Sequence, residues 1–443
     1  MKEYYTPYDL KGVGLRVDHR SSHNSPGLVE CINAKPSPYG IVGIEDITNP
    51  LADSMTIEGI EIDWPYPQMF IGISQSLLLT RSEIYSIDTD WNLTLKVSVP
   101  VGSQNSLGWS IADFDDYILI TNGDFAVASL NGDFTVDLPD YMTSIPYSVT
   151  SYRGRLVTGG PGNIVSWSKI GSVDLTPSRS NEAGFRPMPW KGSVLVVKEL
   201  GDHVVVYGSG GITALKAISS PAPTLAMLEI ENNFGIAGRG AVAGDRRVHY
   251  YIDEKGYAWS LSADLTRKRL GYKEFFSLML EGTIIGSYDS QEEDAYFSSG
   301  DYSYVLNPSG LGSTNQHVTS LSNVDGELVG IFTLGNNFEF KITTDIMSFK
   351  TRSIKNIQVI EIEGEMPYET YCSIQWRNTK NGNFRESVLK RLNNEGVVYP
   401  QVSGTDVRIV VSSNYWDGME FGSLGIRWKN VDKRSIRGMG NAN

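Results

Sequence analysis

Five histidines are the first residues with useful chemistry, because imidazole is a common zinc ligand and a frequent general base. They are dispersed along the chain as His19, His23, His203, His249 and His317. His19 and His23 have the four-residue spacing of a helical ligand pair, but the sequence RSSHNSP around them does not favour a helix. We therefore predict a polar segment there and no metal site. A ligand pair is the alternative, and a zinc titration distinguishes the two.

Carboxylates are the second group, since clustered acids can bind calcium or act as general acids and bases. Two groups are dense enough to consider: Asp289, Glu292, Glu293 and Asp294, and Asp113, Asp115 and Asp116. Neither has the glycine-punctuated alternation of a calcium-binding loop, and sequence alone gives no glycosidase spacing. Solvated loops beside strands are the prediction for both.

Motifs for phosphate binding and nucleophilic catalysis are missing from the sequence. The glycine-rich stretches GGPGN, GSGGI and GIAGRG do not match a phosphate-binding loop and do not join a strand to a helix. No G-x-S-x-G sequence occurs. We predict that these glycines form turns, and that the protein is not an enzyme and has no catalytic residue, metal or cofactor.

The net charge of the protein restricts how it could bind nucleic acids. The net charge of −13 opposes wrapping by DNA, because phosphate binding depends on clustered lysine and arginine. An acidic wall is compatible with a conduit along which DNA slides. Basic residues gather only near the C terminus, around Trp428: Arg427, Lys429, Lys433, Arg434 and Arg437. A charged strand end or an assembly contact is the prediction there, with a phosphate contact as the alternative.

The two cysteines and the hydropathy pattern indicate where the protein is made. Cys31 and Cys372 cannot form a disulfide framework, so we expect buried or neutral thiols. Neither a secretory leader nor an apolar run long enough to span a membrane is visible. Folding in cytoplasm without membrane insertion is the expectation.

Repeats of about 38 to 47 residues dominate the middle of the chain and match a four-stranded propeller blade. Short β-rich runs alternate apolar and polar residues, as around Val204 and Val206. Asn122-Gly123 and Asn131-Gly132 are two-residue hairpin signals. Seven repeats can be delineated, with six as the alternative count and a β-sandwich as the alternative fold. Ser262 to Leu280 is the one stretch with a helical pattern, broken at Gly271.

The sequences on either side of the repeats lack the repeat pattern. The predicted organisation is an extended arm at residues 1–65, a propeller-like repeat domain at 66–348, a C-terminal β-sandwich at 349–435 and a flexible tail at 436–443. The predicted fold class is therefore all-β: a β-propeller of six or seven blades with an N-terminal arm and a C-terminal sandwich.

One segment carries a family resemblance. The stretch VSWSKIGSVDLTPSRSNEAGFRPMPWKGSVLVVKELGDHVVVYGSGGITAL resembles phage virion proteins, in particular the packaged-DNA stabilisation or tail-nozzle proteins of short-tailed phages. The opening GVGLRVDHRSSHNSPGLVECINAKPSPYGIVG looks like their N-terminal arm. The resemblance assigns structural roles to seven positions: Trp167, Asn181, Glu182, Gly184, Leu200, Gly201 and Asp202.

The resemblance implies a structural protein of the virion tail. Such a protein forms a ring, commonly a hexamer, that extends the DNA channel below the portal and adaptor and helps to retain and eject the genome. Duplex DNA passes through the lumen without sequence-specific binding. The level in the tail (head completion, nozzle or tip) stays open.

Two other functions remain as alternatives. A glycan-binding virion protein could use Trp91, Trp109, Trp259 and Trp416 as stacking platforms on exposed turns. A propeller enzyme, such as a lyase or glycoside hydrolase, could place carboxylates in its central funnel. For the tail protein, we expect the arm to pair with a neighbouring subunit, so that removing residues up to about 60 abolishes the ring and leaves a folded monomer.

Overall fold

The computed structural model describes residues 3–16, 27–72, 74–100, 108–114, 117–136, 144–178, 181–219, 224–335, 339–347, 349, 353–367, 369–379, 381–416 and 418–431. Almost all of the regular secondary structure in these residues is β-strand, which confirms the predicted all-β class. Contacts divide it into two compact units. Unit 1 comprises Met1–Asp46, Tyr304–Asn315 and Gly335–Asn443, and unit 2 comprises Ile47–Ser303 and Gln316–Leu334.

The strands are short and follow one another closely. Ahead of and including the first helix lie β1 (Glu3–Asp9), β2 (Leu28–Ile32), β3 (Ala34–Pro36), β4 (Ile41–Gly43) and α1 (Ala52–Glu58). The main body of unit 2 contains β5 (Gln68–Ile71), β6 (Ser76–Leu79), β7 (Glu83–Ile87), β8 (Leu93–Ser98), β9 (Ser110–Phe114), β10 (Tyr117–Thr121), β11 (Ala126–Leu130), β12 (Asp133–Thr135), β13 (Ser148–Tyr152), β14 (Arg155–Gly159), β15 (Ile164–Trp167), β16 (Gly184–Pro187), β17 (Val194–Leu200), β18 (His203–Gly208), β19 (Ile212–Ile218), β20 (Thr224–Glu231), β21 (Val242–Gly244), β22 (Val248–Ile252), β23 (Ala258–Ser262), β24 (Arg267–Gly271), α2 (Lys273–Phe276), β25 (Ile285–Asp289) and β26 (Asp294–Ser298). The rest of the chain contains β27 (Ser303–Asn307), β28 (Gly310–Ser313), β29 (Gln316–Val324), β30 (Glu327–Leu334), β31 (Phe340–Thr344), β32 (Lys355–Glu365), β33 (Thr370–Arg377), β34 (Arg385–Glu386), β35 (Lys390–Arg391), β36 (Val397–Val398), β37 (Val402–Gly404), β38 (Asp406–Ser413) and β39 (Glu420–Asn430).

Unit 2 is a propeller-like succession of antiparallel sheets. Five sheets contain four strands each, in chain order: β5–β8, β9–β12, β13–β16, β17–β20 and β21–β24. The hairpins β25–β26 and β29–β30 follow. First strands contact one another in sequence, β9 with β13, β13 with β17, β21 with β25 and β25 with β29, and β29 returns to β5. This succession of antiparallel sheets, in which β29 returns to the first sheet, is the arrangement of a β-propeller.

Each sheet of the propeller buries side chains on both faces, which explains the alternation in the sequence. In β18, Val204 and Val206 belong to one apolar cluster, whereas Val205 and Tyr207 belong to the next. Neighbouring residues of a strand point to opposite faces. The strand therefore lies between two other sheets, as expected for stacked blades. Complete burial of a valine contributes about 1.5–3 kcal/mol, so each such strand stabilises two interfaces.

Turn chemistry was well predicted at Asn131-Gly132. Leu130 of β11 pairs with Asp133 of β12, which leaves two residues in the turn. Both have positive φ, 51° for Asn131 and 88° for Gly132, as a type I′ hairpin requires. At Asn122-Gly123 the connection is longer, because β10 ends at Thr121 and β11 begins at Ala126.

The stretch Ser262 to Leu280 is helical only after the predicted break at Gly271. Arg267–Gly271 is β24, paired with β23 as the outermost strand of its sheet. Helical structure begins after Gly271, with α2 at Lys273–Phe276 and a 3-10 turn at Ser277–Met279. The pairing with β23 overrides the helical pattern because it gives the backbone polar groups partners and covers the sheet edge.

Unit 1 contains two sheets. One has the strand order β3-β4-β39-β32-β36, with β1 also on β39 and β37 also on β32; the other runs through β27, β28, β2, β31, β38, β33 and β34, with β35 also on β33. Phe340 of β31 lies 5.3 Å, ring centre to ring centre, from Phe421 of β39. Cys31 and Cys372 are buried free thiols, as predicted. Burial raises the pKa of the Cys372 thiol to about 12 and that of Cys31 even further.

The predicted arm at residues 1–65 differs from the structure. β1 pairs with β39 in continuous register from Glu3↔Lys429 to Asp9↔Ser423, and β2 pairs with β31. The N-terminal strands thus complete the same unit as the C-terminal strands. The predicted boundaries at 65/66 and 348/349 also differ from the observed divisions at 46/47 and 334/335. The predicted tail at 436–443 lies outside the described residues.

This pairing changes the expected effect of an N-terminal truncation. Tyr4 stacks on Trp428 at 4.7 Å, and the Trp428 indole donates a hydrogen bond of 3.0 Å to Thr6 Oγ1. We expect deletion of residues 1–9 to expose Trp428, shift its fluorescence to the red and destabilise unit 1 by about 3 kcal/mol. Tyr39→Ala, at a side chain that is 72% exposed in the same unit, should leave urea unfolding unchanged. Equal unfolding curves for wild type and deletion would contradict this role of β1.

Candidate functional site

Polar contacts join the turns that follow the first strands of successive sheets. Ser74 Oγ donates to Asp113 Oδ1 at 2.8 Å, and Asn323 Nδ2 donates to Asp289 Oδ1 at 3.0 Å. Arg153 and Asp202 form an ion pair. We call this set the turn rim; it also includes Gly201, Arg246, Arg247 and Glu293. Each exposed pair contributes little by itself. Their repetition between neighbouring sheets fixes the turns relative to one another.

Four of the residues assigned by the resemblance form one local cluster. The Trp167 indole donates to the Glu182 carbonyl at 2.8 Å. Asn181 Oδ1 accepts from the Ala183 N–H at 3.1 Å, which shapes the loop before β16. A Cβ on Gly184 would lie 2.8 Å from the Trp167 ring. These contacts are consistent with structural positions, since the side-chain polar atoms bond to the backbone of their own loop.

The other three assigned residues, Leu200, Gly201 and Asp202, form the β17–β18 turn. Leu200 is buried, and Gly201 has a φ of +56°. The Gly201 N–H donates to the Arg246 carbonyl at 2.8 Å, and the Asp202 carbonyl accepts from the Tyr152 hydroxyl. The turn therefore touches the sheets on both sides and belongs to the turn rim.

The acidic clusters are less solvated than predicted. Asp289 and Asp294 are 3% and 1% exposed, because they end β25 and begin β26. Asp289 Oδ1 accepts from the Gln291 N–H at 2.9 Å and so caps the turn. Asp115 and Asp116 lie outside the described residues. Among the residues that are described, no group of three or more His, Cys, Asp or Glu is placed to hold a metal ion.

Among the described histidines, His249 has both ring nitrogens hydrogen-bonded, whereas Nδ1 of His203 and of His317 is buried without a hydrogen bond. His249 is completely buried, with Nδ1 2.9 Å from the Tyr207 hydroxyl and Nε2 3.0 Å from the Glu199 carbonyl. Because that carbonyl can only accept, Nε2 carries the hydrogen and Nδ1 accepts from Tyr207. Burial lowers the pKa of His249 to about 3. Burial likewise lowers the pKa of His203 and His317, and His19 and His23 lie outside the described residues.

A cavity of about 460 Å³ lies between the first strands of unit 2, and we call it the axial cavity. Gln68 of β5, Ser110 of β9, Ser148 of β13, Val242 of β21 and Ile285 of β25 line it, as do residues 195–199 of β17. Its volume falls in the range of small-molecule sites. A neighbouring cavity of about 360 Å³ shares Gln68 and Ile285 with it.

Charged side chains in the axial cavity divide into paired and unpaired groups. Glu199 forms an ion pair with Arg246 at 3.0 Å, and Asp245 forms one with Arg247 at 2.8 Å. Burial raises the pKa of Glu199. For Asp245, burial would raise the pKa, but hydrogen bonds from Arg247 and Val248 hold it below its ordinary value. Each of the two carboxylates therefore has an arginine partner.

Lys198 lines both cavities and differs from these pairs. In the described part of the chain no hydrogen bond or ion pair is made by its Nζ. Burial lowers the pKa of Lys198, while the charge of Asp245 acts in the opposite direction. The side chain is half-buried, so the ammonium group has lost part of its hydration without gaining an ion pair.

Arg239 is the second cation of the axial cavity, after Lys198, that makes no ion pair in the described residues. Its guanidinium donates to the carbonyls of Asn122 and Gly108 and lies 5.6 Å above the Tyr147 ring. Burial lowers the pKa of Arg239 to about 10. Within the described ranges no carboxylate forms an ion pair with it.

The tryptophans proposed as glycan platforms do not lie on freely exposed turns. Trp91, Trp109, Trp259 and Trp416 are all half-buried. The Trp109 indole donates to the Thr80 carbonyl at 2.8 Å, and the Trp259 indole to Asp253 Oδ2 at 2.9 Å. Arg267 covers the Trp259 ring at 4.5 Å. The four rings are therefore less exposed than predicted, and glycan binding stays a prediction.

The predicted basic C-terminal group is only partly described. Arg427 on β39 forms an ion pair of 2.6 Å with Glu361 on β32, and Lys429 is paired in register with Glu3. Both belong to a charged strand end, one of the two predicted roles. Lys433, Arg434 and Arg437 lie outside the described residues. No helix in the described ranges is long and apolar enough to cross a membrane.

Comparisons with known proteins concern the fold. No protein-family profile and no curated protein matches the chain. Among solved structures, the Pan2 WD40 domain of Neurospora crassa is similar with 8% identity and a TM-score of 0.39, over 60% of this chain and 88% of that one. BamB from Moraxella catarrhalis is similar with 10% identity and a TM-score of 0.35, over 61% and 76%. The WD40 β-propeller domain of Doa1 has 11% identity and a TM-score of 0.36, over 60% and 93%.

Sequence reasoning missed the axial cavity and its cations. Lys198 lies in the apolar run VLVVKEL, where a lysine flanked by valines on a buried strand was the available signal. Arg239 lies in GIAGRG, where the glycines drew attention to turns. Nothing in either sequence segment indicates that Lys198 and Arg239 line the same cavity.

Proposed function

We propose that the chain is a structural protein of a bacteriophage tail, which assembles with copies of itself, as a hexamer, into a ring that prolongs the DNA channel below the portal and adaptor. In this proposal the seven antiparallel groups of unit 2 are seven blades, and the protein resides in the virion, catalyses no reaction and does not insert into a membrane. The resemblance of residues 165–215 to virion proteins suggests the context, and the surface of unit 2 supports self-association.

The supporting surface feature is a set of apolar side chains on the outermost strands. Leu95 on β8, Phe185 on β16 and Leu228 on β20 are 48%, 62% and 43% exposed. Each strand ends its sheet. Unpaired strand edges with exposed apolar groups promote association with another chain. A ring of identical subunits would cover them.

In this proposal the DNA does not run through the axial cavity, because that cavity is too small. The cavity holds about 460 Å³, a volume suited to a small ligand. The major groove of duplex DNA alone is about 12 Å wide, so a duplex does not fit. The channel in this proposal is therefore enclosed by several subunits. A net charge of −13 would keep the passing DNA from binding.

The test is the oligomeric state of the full chain. Native mass spectrometry with negative-stain images should give a sixfold ring for the wild type. Phe185→Asp should shift the protein to monomers, because it adds a charge to an exposed edge strand. Ile57→Asp is the matched control, since this side chain on α1 is 82% exposed and not on a sheet edge. A wild-type monomer at micromolar concentration would refute the ring.

A further inference from the structure

The axial cavity has an excess of positive charge although the whole protein is acidic. Its lining contains three cations, Lys198, Arg239 and Arg246, and two carboxylates, Glu199 and Asp245. Arg246 neutralises Glu199, and Arg247, which is outside the lining, neutralises Asp245. Lys198 and Arg239 make no ion pair in the described residues, and only the charges of Asp245 and Asp124, respectively, act on their pKa values from the carboxylate side.

Leaving two cations in this state is costly in the absence of a ligand. A charge removed from water is destabilising unless a counter-charge or hydrogen bonds compensate for it. Arg239 recovers part of the cost through carbonyls and the Tyr147 ring. Lys198 is half-buried and makes no direct polar contact in the described residues, so it bears the cost of the hydration that it has lost.

We propose that the axial cavity binds a small oxyanion, a molecule carrying phosphate or carboxylate groups, through Lys198 and Arg239. Anionic oxygens accept strong hydrogen bonds from ammonium and guanidinium groups. The cavity can enclose a molecule of several non-hydrogen atoms, and Gln68, Ser110 and Ser148 place further polar groups in its wall. A tail subunit needs no such ligand for its structural role, so this site adds a function to the one proposed above.

Thermal unfolding with inorganic phosphate and with citrate tests the proposal. At about ten times its dissociation constant, the bound anion should raise the Tm of unit 2 by about 3 to 6 °C. Sodium chloride at matched ionic strength should not do so, since it only screens charge. A response to phosphate alone or to citrate alone identifies the anionic group that the cavity accepts.

Substitutions at Lys198 separate binding from general stabilisation. Lys198→Met should unfold at a higher temperature than wild type in chloride, because a half-buried charge without an ion pair is removed, and should weaken anion binding about tenfold or more in titration calorimetry. Lys198→Arg, which keeps the charge, should retain binding. Lys268→Met is the matched control, because Lys268 is an exposed cation on β24 outside the cavity.

Two results would overturn the proposal: no response of wild type to either anion beyond that to chloride, or an unchanged response in Lys198→Met. Neither result depends on the oligomeric state, so failure of this site and failure of the ring proposal are distinguishable.

Discussion

Lowering the pH from 7 to 4 should destabilise unit 2, and His249→Gln should remove a large part of that pH dependence. His249 is buried as the neutral imidazole, and burial lowers its pKa from 6.5 to about 3. The unfolded chain binds a proton near pH 6.5, whereas the folded chain does not until about pH 3. The stabilisation is therefore complete above pH 6.5 and is lost as the pH falls toward 3.

The expected loss of stability between pH 7 and pH 4 is about 3 kcal/mol, because the pH falls about 2.5 units below the unfolded-state pKa of 6.5 and one unit corresponds to about 1.36 kcal/mol. Urea unfolding at pH 7, 5.5 and 4 gives the free energy of unfolding at each pH. The effect is the difference between wild type and variant in the slope of that free energy against pH. His203→Gln is the comparison variant, and its effect should be smaller because its side chain remains partly accessible. Parallel stability curves for wild type and His249→Gln would show that His249 does not resist protonation.

Local signals in the sequence predicted the local structure of unit 2. The alternation in HVVVY assigned Val204 and Val206 to one face, and both lie in one apolar cluster. Asn131-Gly132 predicted a two-residue turn, which is present. These predictions succeed because strand alternation and positive φ depend on a few neighbouring residues.

Long-range pairing was not predictable in the same way. The strand EYYTPYD contains a proline and mostly exposed side chains, which is typical of an arm or of an edge strand. Its partner β39 lies about 420 positions away in the sequence, and nothing within residues 3–9 identifies that partner. The same limit applies to the axial cavity, whose lining comes from strands far apart in the chain.

The polar contacts of the turn rim join neighbouring sheets of unit 2, although the repeats share no sequence motif that would predict these contacts. Asp113, Asp202 and Asp289 each lie at the end of a first strand or in the turn after it, and each bonds to the neighbouring sheet. Their sequences share no motif because the contact needs only a carboxylate at the strand end. Contacts of this kind restrict the motion of neighbouring sheets relative to one another, and a body restricted in this way would lose little conformational entropy on binding a partner.

Gly240→Ala should be among the most destabilising single substitutions in unit 2, whereas Gly238→Ala in the same GIAGRG segment should be nearly neutral. A Cβ on Gly240 would overlap the carbonyl oxygen of Ile284, at the start of β25. A backbone carbonyl cannot move aside as a flexible side chain can. The sheets that contain β21 and β25 must therefore separate to make room for the methyl group. Gly238 has open space around its Cβ position and no positive φ.

We expect a loss of about 3 kcal/mol for Gly240→Ala, the upper end of overpacking effects, and less than about 0.5 kcal/mol for Gly238→Ala. Urea unfolding followed by circular dichroism compares the two variants, which add the same methyl group two residues apart. Both replacements lower the entropy of the unfolded chain equally, so the difference between them isolates the close approach of the two sheets. If the two variants are equally stable, the first strands do not pack as tightly around the axial cavity as the structure has them.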